Sequence, residues 1–82
     1  MKNKKYSITL QGHNTSITLE PLFWEVLKSI ARNKNITLPD LITEIDMDRL
    51  IPPPAERPNL SSAIRLYVIH KLLEDNDWLR NH

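Results

Sequence analysis

Residues Thr15 to Ile42 read TSITLEPLFWEVLKSIARNKNITLPDLI, and the changes of period within that stretch decide the fold. Thr15 to Leu19 alternates, which places Thr15, Ile17 and Leu19 on one face of a strand and Ser16 and Thr18 on the other. Glu20-Pro21 ends the strand, and a proline at the first helical position loses an N–H that has no intrahelical partner there. From residue 21 to 33 the apolar residues Phe23, Leu27, Ile30 and Ala31 recur at helical spacing, with Trp24 beside the stripe. After the polar break Asn33-Lys34-Asn35, Thr37 is placed to cap a second helix, Asp40 to answer it as a capping box, and Ile36 to staple against Leu41. Pro39 falls in the first turn, where it breaks no hydrogen bond. This helix, 38 to 48, turns Leu38, Leu41, Ile42 and Ile45 inward and an acidic face of Asp40, Glu44, Asp46 and Asp48 outward.

Working outward from that stretch, residues 6 to 10, YSITL, repeat the alternation of TSITL and place Tyr6, Ile8 and Leu10 on one face. Gln11 to Asn14, QGHN, separates the two strands and contains the only glycine, so a four-residue hairpin loop is expected. A two-stranded hairpin is marginal alone and needs a second layer. Downstream, residues 51 to 59, IPPPAERPN, carry four prolines and read as a stiff, irregular connector. Residues 61 to 74 then form a third helix, with Ser61 or Asn59 as its cap. Ala63, Ile64, Leu66, Tyr67, Val68, Ile69, Leu72 and Leu73 make it apolar around most of its circumference, which demands burial on more than one side. Trp78 lies beyond it.

The chain of 82 residues is one domain, 1 to 82, and with no cysteine it has neither a disulfide nor a zinc knuckle to reinforce a small core. A second copy of the chain is the expected source of further burial. The lack of cysteine, of a secretory signal and of any long apolar run points to the cytoplasm and away from a membrane. The net charge of +1 hides an asymmetry: residues 1 to 36 carry six basic and two acidic side chains, residues 37 to 82 five basic and eight acidic. A dimer that gathered both amino-terminal segments on one side would attract a polyanion, but on charge alone three lysines near a terminus read first as a solvated tail.

The string from Thr15 to Ile42 resembles the ribbon-helix-helix DNA-binding family. The resemblance rests on the alternating strand, the helix-opening proline, the apolar spacing that ends in alanine, and the short turn before a capping threonine. GHNTSITLEPLFW, residues 12 to 24, together with NLSSAIRLYV, residues 59 to 68, is similar to a bacterial subgroup of small members. The fold class this implies is mainly α with a short β ribbon, a ribbon-helix-helix homodimer carrying an extra N-terminal strand and an extra C-terminal helix. It implies a sequence-specific transcriptional regulator, in its simplest form a repressor, that lays one strand from each chain antiparallel in the major groove of double-stranded DNA. Ser16 and Thr18 would then be the base contacts, their short hydroxyls discriminating less sharply than arginine or asparagine.

Candidate backbone contacts are Lys4, Lys5, Lys28, Arg32 and Lys34, with His13 and Asn14 at the hairpin tip and Thr37 with the backbone N–H of Leu38 at a helix start. For Thr37 the cap is a sufficient role, and for His13 fixing the turn competes with contacting DNA. The expected dimer core is Ile17, Leu19, Phe23, Leu27, Ile30, Leu41, Ile42, Ile45, Ile64 and Val68. His13, His70 and His82 have no metal-ligand spacing, so no metal and no cofactor is expected. The chain has no glycine-rich phosphate loop and no GxSxG elbow, and Asp46 and Asp48 point apart on their helix, so no enzyme is expected. The competing function is a protein-interaction module or an antitoxin-like partner-binding protein, with the third helix, Trp24 and Trp78 as its surface. A third arrangement pairs the two strands within each chain and builds a larger dimeric sheet.

Overall fold

The computed structural model describes residues 2–75, a short antiparallel hairpin lying on three helices. Strand β1, Lys4–Leu10, pairs with β2, His13–Leu19, in a register running from Lys4 opposite Leu19 to Leu10 opposite His13. The loop is therefore two residues, not the four expected. Gln11 adopts φ 49° and Gly12 φ 82°, and positive φ at both central residues is what lets a two-residue turn match the twist of its strands. His13 and Asn14 are thereby freed to extend β2. Alternation then sorts the side chains: Ile17 and Leu19 are buried, Tyr6, Ile8, Leu10 and Thr15 partly so, while Lys5, Ser7, Thr9, Asn14, Ser16 and Thr18 face outward and are exposed.

Helix α1, Pro21–Asn33, starts on its proline and buries Leu27, Ile30 and Ala31. It ends in a Schellman turn, in which Asn35 takes φ 58° and the N–H groups of Asn35 and Ile36 bond to the carbonyls of Arg32 and Ala31. Helix α2, Leu38–Asp48, opens on the Thr37 cap, whose hydroxyl accepts from the Asp40 N–H at 3.1 Å, and buries Leu41, Ile42 and Ile45. The proline-rich connector is less irregular than expected. Pro54–Glu56 makes one turn of 3₁₀ helix, because a proline in first position loses no hydrogen bond, and the Arg57 side chain braces it by donating to the Pro52 carbonyl at 2.9 Å.

Helix α3, Leu60–Asp75, begins one residue earlier than expected because Asn59 is its cap, the side-chain oxygen accepting from the Ser62 N–H at 2.8 Å. It contributes Ala63, Ile64 and Val68 to a single core shared by all three helices and β2. Beneath the hairpin, α2 lies against β1 and α3 against β2. A partly buried ion pair ties α3 to the strand–helix junction: the Arg65 guanidinium meets the Glu20 carboxylate through two nitrogens, each at 2.8 Å. No helix among the described residues is long and apolar enough to cross a membrane.

Candidate nucleic-acid interface

The outer face of the hairpin is the most uniform polar surface the strands create. Three cross-strand pairs compose it: Lys5 opposite Thr18, Ser7 opposite Ser16, and Thr9 opposite Asn14. Every side chain in it is a hydrogen-bonding group. Its rigidity comes from the opposite face, where Ile17 and Leu19 are 1% and 0% exposed and peg β2 to the core. A slip of one residue would drive those two into water and Ser16 and Thr18 into the interior, so the outward position of the hydroxyls is strongly specified. Thr9 adds local order, its hydroxyl donating to the Asn14 side-chain oxygen at 2.9 Å and leaving the Asn14 amide group as a donor.

Other residues expected at such a surface are placed elsewhere. Lys4 alternates to the inner side, where its ammonium lies 5.7 Å from the centre of the Tyr6 ring; Tyr6 in turn stacks on Trp24 with ring centres 4.0 Å apart. That stack gives Trp24 a partner within the chain. His13 shares the parity of Ile17 and is exposed where the hairpin turns, opposite Leu10. Lys28 pairs with Glu25 at 3.1 Å and Arg32 donates to the Ser29 hydroxyl at 3.1 Å, both within α1. Lys34 bonds Glu44 of α2 at 3.3 Å, an acceptor that holds its ammonium pKa above the ordinary lysine value. The Thr37 hydroxyl is occupied by its capping bond, and Leu38 is half-buried as the first residue of α2. Of the expected DNA contacts, the ribbon face thus gathers Lys5, Asn14, Ser16 and Thr18.

Of the residues expected to form a dimer core, Ile17, Leu19, Leu27, Ile30, Leu41, Ile42, Ile45, Ile64 and Val68 are already buried within one chain. Phe23 is not. With Leu22, Val26, Val68, Ile69 and Leu72 it lines an apolar groove between α1 and α3, open to solvent. Leu66 and Leu73 are also exposed on α3. Trp78 lies outside the described residues. Among those that are described, no cluster of three or more metal-ligating side chains occurs.

Two features escaped the sequence. Ser7 and Thr9 belong to the outer face, and the shared pattern of YSITL and TSITL was the available signal. The pairing of Glu20 with Arg65, 45 residues apart, had none. Arg65 lowers the Glu20 pKa below the usual carboxylate range, chiefly by donating hydrogen bonds to the charged form.

Residues 3–72 match a family model described as a ribbon-helix-helix domain. No curated protein and no solved structure matches the chain.

Proposed function

The chain belongs to the ribbon-helix-helix family, whose domains are generally DNA-binding regulators of transcription and not enzymes, and on that premise we propose that it is a homodimeric, sequence-specific operator-binding protein. Two copies of β2 pair antiparallel and present Ser16 and Thr18 of each chain to base edges in the major groove, a groove wide enough for a two-stranded ribbon. Occupation of a promoter then represses it. The setting is the cytoplasm of a bacterium, in keeping with the small bacterial members that the GHNTSITLEPLFW and NLSSAIRLYV strings resemble.

The observation that carries this reading is the pairing of an all-polar outer face with an open strand edge. Among the described residues the hairpin is a two-stranded sheet, so β2 meets β1 on one side only. Residues 13–19, HNTSITL, contain no lysine, arginine, aspartate or glutamate, whereas β1 opens on Lys4 and Lys5, which discourage edge pairing. Ladder alternation counted from the two-residue loop turns the backbone N–H groups of Asn14, Ser16 and Thr18 toward the open edge of β2. The exposed apolar groove between α1 and α3 adds surface whose burial favours association.

Selection of bound sequences from random duplex DNA tests the reading. Ser16→Ala and Thr18→Ala are expected to shift the selected sequence while the protein keeps its dimer mass. Equal binding of every variant to selected and scrambled duplexes would refute it.

A second reading is favoured by one observation, the exposure of Leu66, Ile69, Leu72 and Leu73 along α3. In that reading the chain is an antitoxin-like or other protein-interaction module that docks a partner protein on this helix. Salt separates the two, since a ribbon in DNA binds duplexes with a steep salt dependence and a protein module does not.

A further inference from the structure

We infer that β1 is a phosphate-binding strand, in which Lys5, Ser7 and Thr9 hold the walls of the major groove on either side of the paired β2 strands. The inference rests on the DNA-binding reading above and assigns a role to β1, which that reading leaves without one. Its first support is the register. Lys5, Ser7 and Thr9 stand opposite Thr18, Ser16 and Asn14, so all six side chains leave the hairpin on the same exposed face. Whatever Ser16 and Thr18 approach, β1 approaches one strand further out.

Dimensions decide what it meets there. Neighbouring strands lie about 4.8 Å apart, so with two β2 strands straddling the dyad each β1 runs roughly 7 Å from it. The major groove is about 12 Å wide, which puts its phosphate walls about 6 Å from the midline. Strand β1 therefore runs over the sugar–phosphate backbone, while β2 runs over the bases.

The chemistry of β1 agrees with that position. Its outer face offers the Lys5 ammonium and the Ser7 hydroxyl as donors to a phosphate oxygen, joined by the Thr9 hydroxyl once its proton turns from Asn14, and no carboxylate or carboxamide that would select a base. Its open edge contributes as well. The same alternation from the two-residue loop turns the backbone N–H groups of Lys5, Ser7 and Thr9 outward, in the plane of the sheet, toward the wall. Lys4 is excluded by its inward position over Tyr6.

The test is the salt dependence of duplex affinity for the full-length wild type, Lys5→Ala, Ser7→Ala, Thr9→Ala and Lys4→Ala, each with selected and scrambled DNA. Loss of Lys5 from both protomers is expected to flatten the slope of log affinity against log salt by about 1.8, so that between 50 and 200 mM salt the variant loses about tenfold less affinity than the wild type. Ser7→Ala and Thr9→Ala are expected to weaken selected and scrambled duplexes by equal factors and leave the selected sequence unchanged, with Lys4→Ala keeping the wild-type slope. A Lys5→Ala or Ser7→Ala protein that selects a new sequence at an unchanged slope would overturn the inference and put the single-chain hairpin itself in the groove. Wild-type binding with all four variants indistinguishable from it would overturn the inference alone. A wild type that binds no duplex would overturn it together with the proposed function.

Discussion

Replacing Ile64 and Ile69 by alanine, one at a time, separates the interior of the chain from the surface that a second copy is proposed to cover. The two residues lie on the same helix, yet Ile64 is 0% exposed and Ile69 is 45% exposed. Truncating a fully buried isoleucine costs about 2–5 kcal/mol, from lost transfer energy and the cavity left behind. A chain of 82 residues, at about 0.05–0.15 kcal/mol per residue, holds roughly 4–12 kcal/mol in all. Ile64→Ala therefore removes a large share of the total, with a matching fall in the urea midpoint. Ile69→Ala in a lone chain costs less than about 1 kcal/mol, because half of that side chain is already in water. If a second copy covers the α1–α3 groove, its cost rises above that figure and grows with protein concentration, since folding and association are then linked. Urea unfolding at two concentrations a hundredfold apart reads both effects. A loss below about 1 kcal/mol for Ile64→Ala would refute the placement of α3 in the core. A concentration-independent midpoint for wild type and Ile69→Ala alike would refute a dimer built on that groove.

Three further outcomes follow from individual side chains. The lowered pKa of Glu20 means that its pairing with Arg65 stabilises the fold above the ordinary carboxylate range and is lost as pH falls through the lowered value. The urea midpoints of wild type and Glu20→Gln should therefore differ at neutral pH and converge in acid; a gap that widens on acidification would contradict this. Among the described residues the Tyr67 hydroxyl is buried without a partner that meets hydrogen-bond geometry, although the Lys34 ammonium lies close enough for Tyr67 to help raise its pKa. Tyr67→Phe should thus leave stability unchanged or raise it, whereas a loss above about 1 kcal/mol would reveal a bond to that oxygen. Thr37→Ala removes the α2 cap and should cost about 1 kcal/mol in thermal or urea unfolding, with no measurable loss counting against the capping role.

The parts of the fold that were legible in the sequence are those whose physics is local. The Thr37 cap, the prolines at helix starts and the apolar spacing of Leu27, Ile30 and Ala31 each act within a turn or two, and α1 and α2 occupy the residues those signals marked. The two-residue hairpin loop is not legible in the sequence because it depends on Gln11, a residue with no preference for positive φ, joining Gly12 in that conformation. With the loop shortened, His13 and Asn14 became strand residues and the Thr9–Asn14 pair joined the outer face. The sides of α3 could not be assigned from sequence, because apolar residues all round a helix carry no phase. Packing chose Ala63, Ile64 and Val68 for the interior and left Ile69, Leu72 and Leu73 outside. For the candidate site, alternation alone marked Ser16 and Thr18 as outward, and the inward turn of Lys4 follows from the same rule once β1 is known to begin at that residue.

The pairing of two β2 strands is open to direct measurement, because the chain has no cysteine and Ser16→Cys or Thr18→Cys introduces a single thiol at an exposed site. With a nitroxide on each thiol, the distance between labels in the free protein reports on the two chains alone. Antiparallel β2 strands place both pairs of labels within about 20 Å of each other, given a strand spacing near 4.8 Å and an offset of a few residues. Labels at both sites beyond that range, or a protein that stays monomeric at micromolar concentration, would contradict the account.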